Sequence, residues 1–406
     1  MSNLKTAALA ASLLLALAGL AQAAELRLAA AAADDQVVTR LVAADPGAAA
    51  AALERQPLSA AWALDPQQPL AARPEVFVQE SREYWLDASE AELQRGVSLP
   101  TTAAAALIRI SPHSNNSTKL GIDDLVVRSA AGEFDGRAAS QSLADTAALR
   151  AAGMDVSEGT VIVKLAPAVG QGRIELAAPA ARGNYLIHVF EPASKNVLKL
   201  GAARDSVVAG DSLRISAKLD SARGESAKGL LTAPDGHSQA FEFRQLRDGS
   251  WQADVVPDAA HANGPGLWEI HAFASGSSDG ARVLRDAKTA VAVARPTARF
   301  SGAVENLMSA RGTVELGVGI EVAGASRYQL SGVLYGTGKD GLRRPAAYAQ
   351  SAAWLEAGAQ RLVLKYDAQS LAAAGLSAPY ELRDLRLGNQ ADQTTLERRA
   401  VALELR

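Results

Sequence analysis

Thr313-Val314-Glu315-Leu316-Gly317-Val318-Gly319-Ile320-Glu321-Val322 is the stretch on which the fold class turns. Val314, Leu316, Val318, Ile320 and Val322 share one side of a period of two, and Thr313, Glu315, Gly317, Gly319 and Glu321 share the other. Successive side chains of a strand point to opposite faces, so the alternation predicts a strand with one face in a core and one in water. A helix would scatter the same apolar residues around its circumference.

The pattern continues outward in both directions. Toward the C-terminus, Tyr328/Leu330, Leu362/Leu364/Tyr366, Tyr380/Leu382 and Val401/Leu403/Leu405 supply further strands, and the alternation slips at Arg383-Asp384 before Leu385 and Leu387, as a β-bulge reads in sequence. Residues 296–406 are therefore expected to form a β-sandwich. Toward the N-terminus, Leu213, Ile215, Ala217 and Leu219 alternate with Arg214, Ser216 and Lys218, and Trp251/Ala253/Val255 and Trp268/Ile270/Ala272/Ala274 repeat the pattern. Pro234-Asp235-Gly236 and Asp248-Gly249 are turns, since Asp and Gly tolerate the backbone angles that tight turns require. Residues 193–295 are expected to form an immunoglobulin-like sandwich.

Residues 75–192 read as an N-terminal β-rich domain with small helices. Ala106–Ile110, Thr160–Leu165 and Tyr185–Phe190 are its clearest strands, rich in β-branched and aromatic residues. Ser89-Glu90-Ala91-Glu92 is a capping box opening a short helix that Gly96 stops, and a second helix is expected between Gln141 and Ala152. Before this, residues 24–74 form an Ala/Pro-rich leader, expected to be extended or partly helical and docked through Trp62. Residues 1–23 read as a signal peptide: Lys5 charges the start, Thr6 to Leu20 is almost wholly Ala and Leu, and Ala21-Gln22-Ala23 suits signal peptidase, with cleavage before Ala24. The mature protein is expected to be exported, periplasmic or secreted.

Glu83-Tyr84-Trp85, Asn184 to Pro192, Ala209-Gly210-Asp211-Ser212-Leu213 and Pro379 to Leu385 together give the chain a family likeness. It resembles the exported bacterial domain-of-unknown-function 4785 family, which pairs an N-terminal β-rich part with immunoglobulin-like modules. The resemblance covers most of the mature chain, rests on structural motifs, and brings no catalytic residues with it.

Composition excludes several classes. The chain has no cysteine, which removes disulfides, thiolate nucleophiles, cysteine metal sites and a lipoprotein anchor. Its 41 basic and 44 acidic residues are scattered, for a net charge of −3, so no basic stripe favours nucleic acid. Beyond the leader nothing approaches a membrane span, and the mature chain is expected to be soluble.

The motifs that carry chemistry elsewhere sit here in the wrong contexts. Gly210-Asp211-Ser212-Leu213 and Asp258-Ala259-Ala260-His261 spell the nucleophile and Asp-x-x-His blocks of the GDSL esterases, yet Ser212 opens a strand where that reaction needs a strand-to-helix turn. Gly336 to Gly341 satisfies G-x-G-x-x-G but leads into Leu342-Arg343-Arg344-Pro345, which starts no helix to meet a pyrophosphate. His113, His188, His237, His261 and His271 lack metal-ligand spacing, leaving only a site assembled across distant strands. Asp123-Asp124, Asp279-Gly280 and Asp340-Gly341 read as turns, below the ligand density of a calcium loop. Trp85, Trp251, Trp268 and Trp354, one beside each strand group, are expected to anchor cores.

These observations give a mainly β chain with no catalytic, cofactor-binding or metal residue assigned, and no cofactor. The expected role is non-catalytic binding of a protein or glycan at the cell envelope or outside the cell. The alternatives are a secreted hydrolase with its site in the N-terminal domain or at a domain boundary, and an envelope assembly factor using strand addition.

Overall fold

The computed structural model describes residues 25–45, 50, 52–71, 75–113, 118–307 and 312–405. The expected signal peptide and its cleavage site lie outside the described residues. The chain is mainly β, with antiparallel ladders dominating each sheet. No helix among the described residues is long and apolar enough to cross a membrane.

Three apolar cores organise the described residues. The first lies between the strands Glu83–Ala88, Leu107–Pro112, Val161–Leu165 and Tyr185–Phe190 on one side and Val97–Thr101, Val126–Ser129 and Gly172–Ala177 on the other. Alternation decides which residues enter it: Tyr185, Ile187 and Val189 are fully buried, while Leu186, His188 and Phe190 face outward. The second core lies between Arg223–Thr232, Leu267–Ser278 and Ala281–Ala294 and the facing strands Val197–Ala202, Leu213–Asp220 and Trp251–Val255. A ten-stranded sheet runs through both units, crossing where Asp286 pairs with Glu83.

The third core fills the C-terminal sandwich. Val314, Leu316, Val318, Ile320 and Val322 all lie inside it, on the strand Val314–Val322. Ala298–Asn306 and Gly358–Tyr366 flank that strand in a four-stranded sheet, and Ser326–Thr337, Arg343–Leu355, Ser377–Asn389 and Thr394–Leu405 belong to the facing five-stranded sheet.

The leader, expected to be extended or partly helical and docked through Trp62, forms two edge strands, with Trp62 stacked on Tyr348. Glu25–Arg27 pairs with Ala298–Asn306 at one edge of the four-stranded sheet, and Leu58–Ala63 pairs with Arg343–Leu355 at one edge of the five-stranded sheet. Val38, between them, is buried in the same core. Each sheet would otherwise present unpaired backbone groups at that edge, which is why an Ala-rich segment with little apolar weight of its own still becomes ordered strand.

Two smaller differences have local causes. The helix expected from Gln141 begins only at Thr146, because Ser140–Ala144 pairs with Val161–Leu165 and Asp145 supplies the cap, accepting the Ala148 N–H at 2.9 Å. Val401 faces outward, away from Leu403 and Leu405, because the register slips by one residue between the Leu382–Leu403 and Arg383–Val401 pairs. The capping box at Ser89 forms as read, with Glu92 returning to the Ser89 N–H at 2.9 Å and Gly96 ending the helix Glu90–Arg95 at φ +117°.

Candidate functional site

The outward face of the five-stranded sheet carries the richest combination of aromatic and hydrogen-bonding side chains outside the cores. Tyr328, Leu330 and Leu334 point inward, so Gln329, Ser331, Val333 and Tyr335 point outward. Register then builds rows across the sheet. Trp62, Tyr348, Val333 and Arg383 form one row, and Gln350, Ser331, Arg386 and Arg398 the next.

The slip at Arg383-Asp384 shapes this face. Two steps along one strand, Ser331 to Val333, oppose three along the other, Arg386 to Arg383, and Asp384 takes φ +47°. The extra residue lets Arg383 and Arg386, three positions apart, both reach the outer side, the kind of re-aiming that bulges provide. Arg398 Nε donates to Asp384 at 2.7 Å and Arg386 Nη2 lies 2.9 Å from it, so the carboxylate is held between two guanidinium groups.

A groove of about 750 Å³ follows, lined among others by Tyr348, Gln329, Ser331, Asp384, Arg386 and Gln390. A relay of amides crosses its floor: Gln390 Nε2 donates to Gln329 at 2.9 Å and Gln329 Nε2 to Gln350 at 3.3 Å. At the rim, Trp62 is 49 % exposed and stacks on Tyr348 with ring centres 5.6 Å apart. The leader closes the other end, where Leu53 lines the groove and Arg327 donates to the Gln56 carbonyl at 2.8 Å. Burial pushes the nearby Tyr335 hydroxyl above its ordinary value, and the Arg383 guanidinium lies 4.5 Å over its ring. The groove thus offers aromatic surface, amide donors and acceptors, and an ion-paired carboxylate. That set suits recognition of a polar, hydroxyl-rich ligand.

The tryptophans divide. Trp251 and Trp268 anchor the second core at 2 % exposure each. Trp85 and Trp354 do not enter cores: Trp85 stacks on His188 with centres 3.9 Å apart on the outer face of the ten-stranded sheet, and Trp354 lies under the Arg55 guanidinium. His188 also binds Glu83 at 2.9 Å, and this hydrogen bond holds the Glu83 carboxyl below its usual range.

The remaining motifs fall out as structure. Ser212 is exposed in the turn before Leu213–Asp220, and His261 binds Asp235 at 2.7 Å; among the described residues no hydrogen bond joins Ser212 to His261. Gly336 to Gly341 closes the hairpin between Ser326–Thr337 and Arg343–Leu355, with Gly341 at φ +78° where a side chain would be strained. Asp123 pairs with Arg137, Asp279 with Lys195 and Asp340 with Arg344. Asp124 accepts the Gly121 N–H at 2.7 Å, completing the local turn. His113 meets Asp87 at 3.1 Å, and His271 lies 3.7 Å from Asp286. Only His237 and His261 meet, stacked with centres 3.7 Å apart although they come from separate loops.

The groove escaped the sequence reading because its residues come from the leader and from strands hundreds of positions later. The signal available was the bulge at Asp384 together with polar outward positions Gln329, Ser331 and Arg386 in otherwise apolar strands.

Residues 49–191 match the domain of unknown function (DUF4785) N-terminal domain, and residues 297–406 match the DUF4785 C-terminal domain, which contains most of the groove. No curated protein matches the chain. A crystal structure of a DUF4785 family protein from Legionella pneumophila subsp. pneumophila str. Philadelphia 1 is similar in fold, with a TM-score of 0.73 over 91 % of this chain and 99 % of that chain at 21 % identity. With both of its matched regions drawn from one family, at either end of a chain that also shares that family's fold, this protein belongs to the DUF4785 family.

Proposed function

We propose that the protein is exported and acts without catalysis, by holding a glycan in the groove of the C-terminal sandwich. Export rests on the Met1 to Ala23 pattern. The binding role rests on one observation: the open groove, with the Trp62–Tyr348 stack at its rim and the Gln390–Gln329–Gln350 relay across its floor. An aromatic face covers the apolar side of a sugar ring, and paired amides and guanidinium groups meet its hydroxyls. Asp384 supports binding better than acid–base work, since two guanidinium groups already occupy its oxygens.

The experiment takes protein from the periplasm or medium, confirms by intact mass that it starts at Ala24, and titrates it with solubilised cell-wall and capsular polysaccharide fragments. Trp62→Ala and Gln329→Ala should each weaken binding about tenfold, as truncation of a central contact does. Retention by no polysaccharide, or binding by both variants as tight as by the unaltered chain, would remove the glycan assignment.

A further inference from the structure

Two loops at one end of the middle unit bring together His237, Asp258 and His261, whose donor atoms lie within 4.8 Å of one another. The first loop is the turn Pro234-Asp235-Gly236-His237 between Arg223–Thr232 and Ser238–Glu242, closed by Gly236 at φ +90°. The second begins at Asp258, which caps a single turn of 3-10 helix, Ala259–His261, by accepting the Ala260 N–H at 2.9 Å. Positions three apart eclipse in such a helix, so the cap and the last residue project to one side. The Asp-x-x-His spacing of this chain therefore has a local use unrelated to Ser212.

Asp235 ties the two loops together. One of its oxygens accepts the His237 backbone N–H at 2.9 Å, and the other lies 2.7 Å from His261 Nδ1. With Nδ1–H donated to Asp235, His261 presents the lone pair of Nε2. A carboxylate that fixes the tautomer of an imidazole in this way is the usual companion of a histidine metal ligand. The rings of His237 and His261 lie 2° from parallel with centres 3.7 Å apart, so the two imidazoles are already neighbours, and rotation of the exposed His237 ring out of the stack would turn its in-plane lone pair toward an ion shared with His261.

We infer that His237, Asp258 and His261 form a binding site for a divalent transition-metal ion of the zinc type, with Asp235 orienting His261. Two nitrogens and one carboxylate oxygen suit zinc and not calcium or magnesium, which take oxygen ligands. Tetrahedral zinc sets its donors roughly 3.4 Å apart, so the exposed His237 and Asp258 side chains need only rotate inward. Three protein ligands leave the fourth position to water, and the ion would staple the two loops.

The test uses the full mature chain without an affinity tag, stripped with chelator and titrated with zinc chloride by calorimetry. Expected are one zinc per chain and a rise in melting temperature, with no response to calcium. His237→Ala and His261→Ala should each weaken zinc binding more than about tenfold, and Asp235→Asn, which removes no ligand, by about tenfold. His113→Ala should bind as the unaltered chain does. Circular dichroism confirms that each variant is folded, which the exposed positions favour. Absence of stoichiometric zinc binding, unchanged affinity in either histidine variant or in Asp235→Asn, or loss of binding in His113→Ala would each overturn the site.

Discussion

Where Glu83 meets Asp286 the ten-stranded sheet passes from the first unit into the middle one, and beside that crossing sits a charged pair with no access to water. Arg285 and Glu191 are both fully buried, 2.7 Å apart. The C-terminal sandwich instead fills its interior with residues such as Val318, Ile320 and Leu330, and its own buried carboxylate, Glu397, is held by longer contacts. Glu191 receives backbone N–H groups from Thr102 and Ala103 as well as Arg285, and Arg285 also donates to the Asn196 carbonyl, Ser194 and Thr102. Glu397 has the Phe300 N–H, the Val38 N–H at 3.2 Å and Arg399 at 3.4 Å, and both of these distances exceed the 2.7 Å of the Arg285–Glu191 pair. A saturated set of partners lets a buried charge stand as a directional lock between units. Longer contacts leave the charge costly.

The largest expected effect comes from breaking the lock. Glu191→Ala leaves a guanidinium buried without its counter-charge and should cost about 4 kcal/mol in denaturant unfolding. Replacing Arg285 by Met in the same chain should recover a good part of that loss, because the uncompensated charge goes with it. If the single and double variants unfold together, the pair contributes no more than its packing.

The C-terminal core supplies the next effect. Val318 is fully buried, so Val318→Asp should cost about 3 kcal/mol by placing an unpaired carboxylate among apolar side chains. Its control lies on the opposite face of the same strand, where Glu315 pairs with Lys365 at 2.9 Å. Glu315→Lys there should cost well under 1 kcal/mol, since it replaces a surface attraction by a surface repulsion. Thermal melts of the full chain separate the two; equal tolerance would mean that the strand is not central to its sandwich.

This strand also shows what sequence makes legible. Period-2 alternation acts through neighbours on one segment, so Val314 to Val322 and Tyr185 to Phe190 could be assigned from their own residues. The slip at Asp384 was legible for the same reason, being a local break in a local pattern. The groove, the Arg285–Glu191 lock and the His237–His261 contact were not, because each is made by segments whose proximity depends on register across several strands. The leader misled in a different way. Its Ala and Pro content describes a weak former of structure, and what orders it is the open edge of each C-terminal sheet.

The smallest of the effects tests the costly carboxylate. Burial pushes Glu397 from its ordinary 4.5 up to about 7, against the opposing pull of Arg399 and the Val38 and Phe300 N–H groups. The native state therefore keeps a proton that the unfolded chain has already lost between pH 4.5 and about 7. Protons bound more tightly by the native state make stability fall as pH rises, so the contribution of Glu397 is fully favourable below about 4.5, declines through the window, and is gone above about 7. A shift of that size corresponds to roughly 3 kcal/mol, and a neutral amide that loses some hydrogen bonding should retain about 2 of it. Glu397→Gln should thus melt slightly below the unaltered chain at pH 4 and above it at pH 8, the order reversing across the window. A gap of the same size and sign at both pH values would mean that Glu397 is ionised throughout. In that case the sandwich would hold its buried carboxylate as securely as the junction holds Glu191, and the contrast between the two regions would disappear.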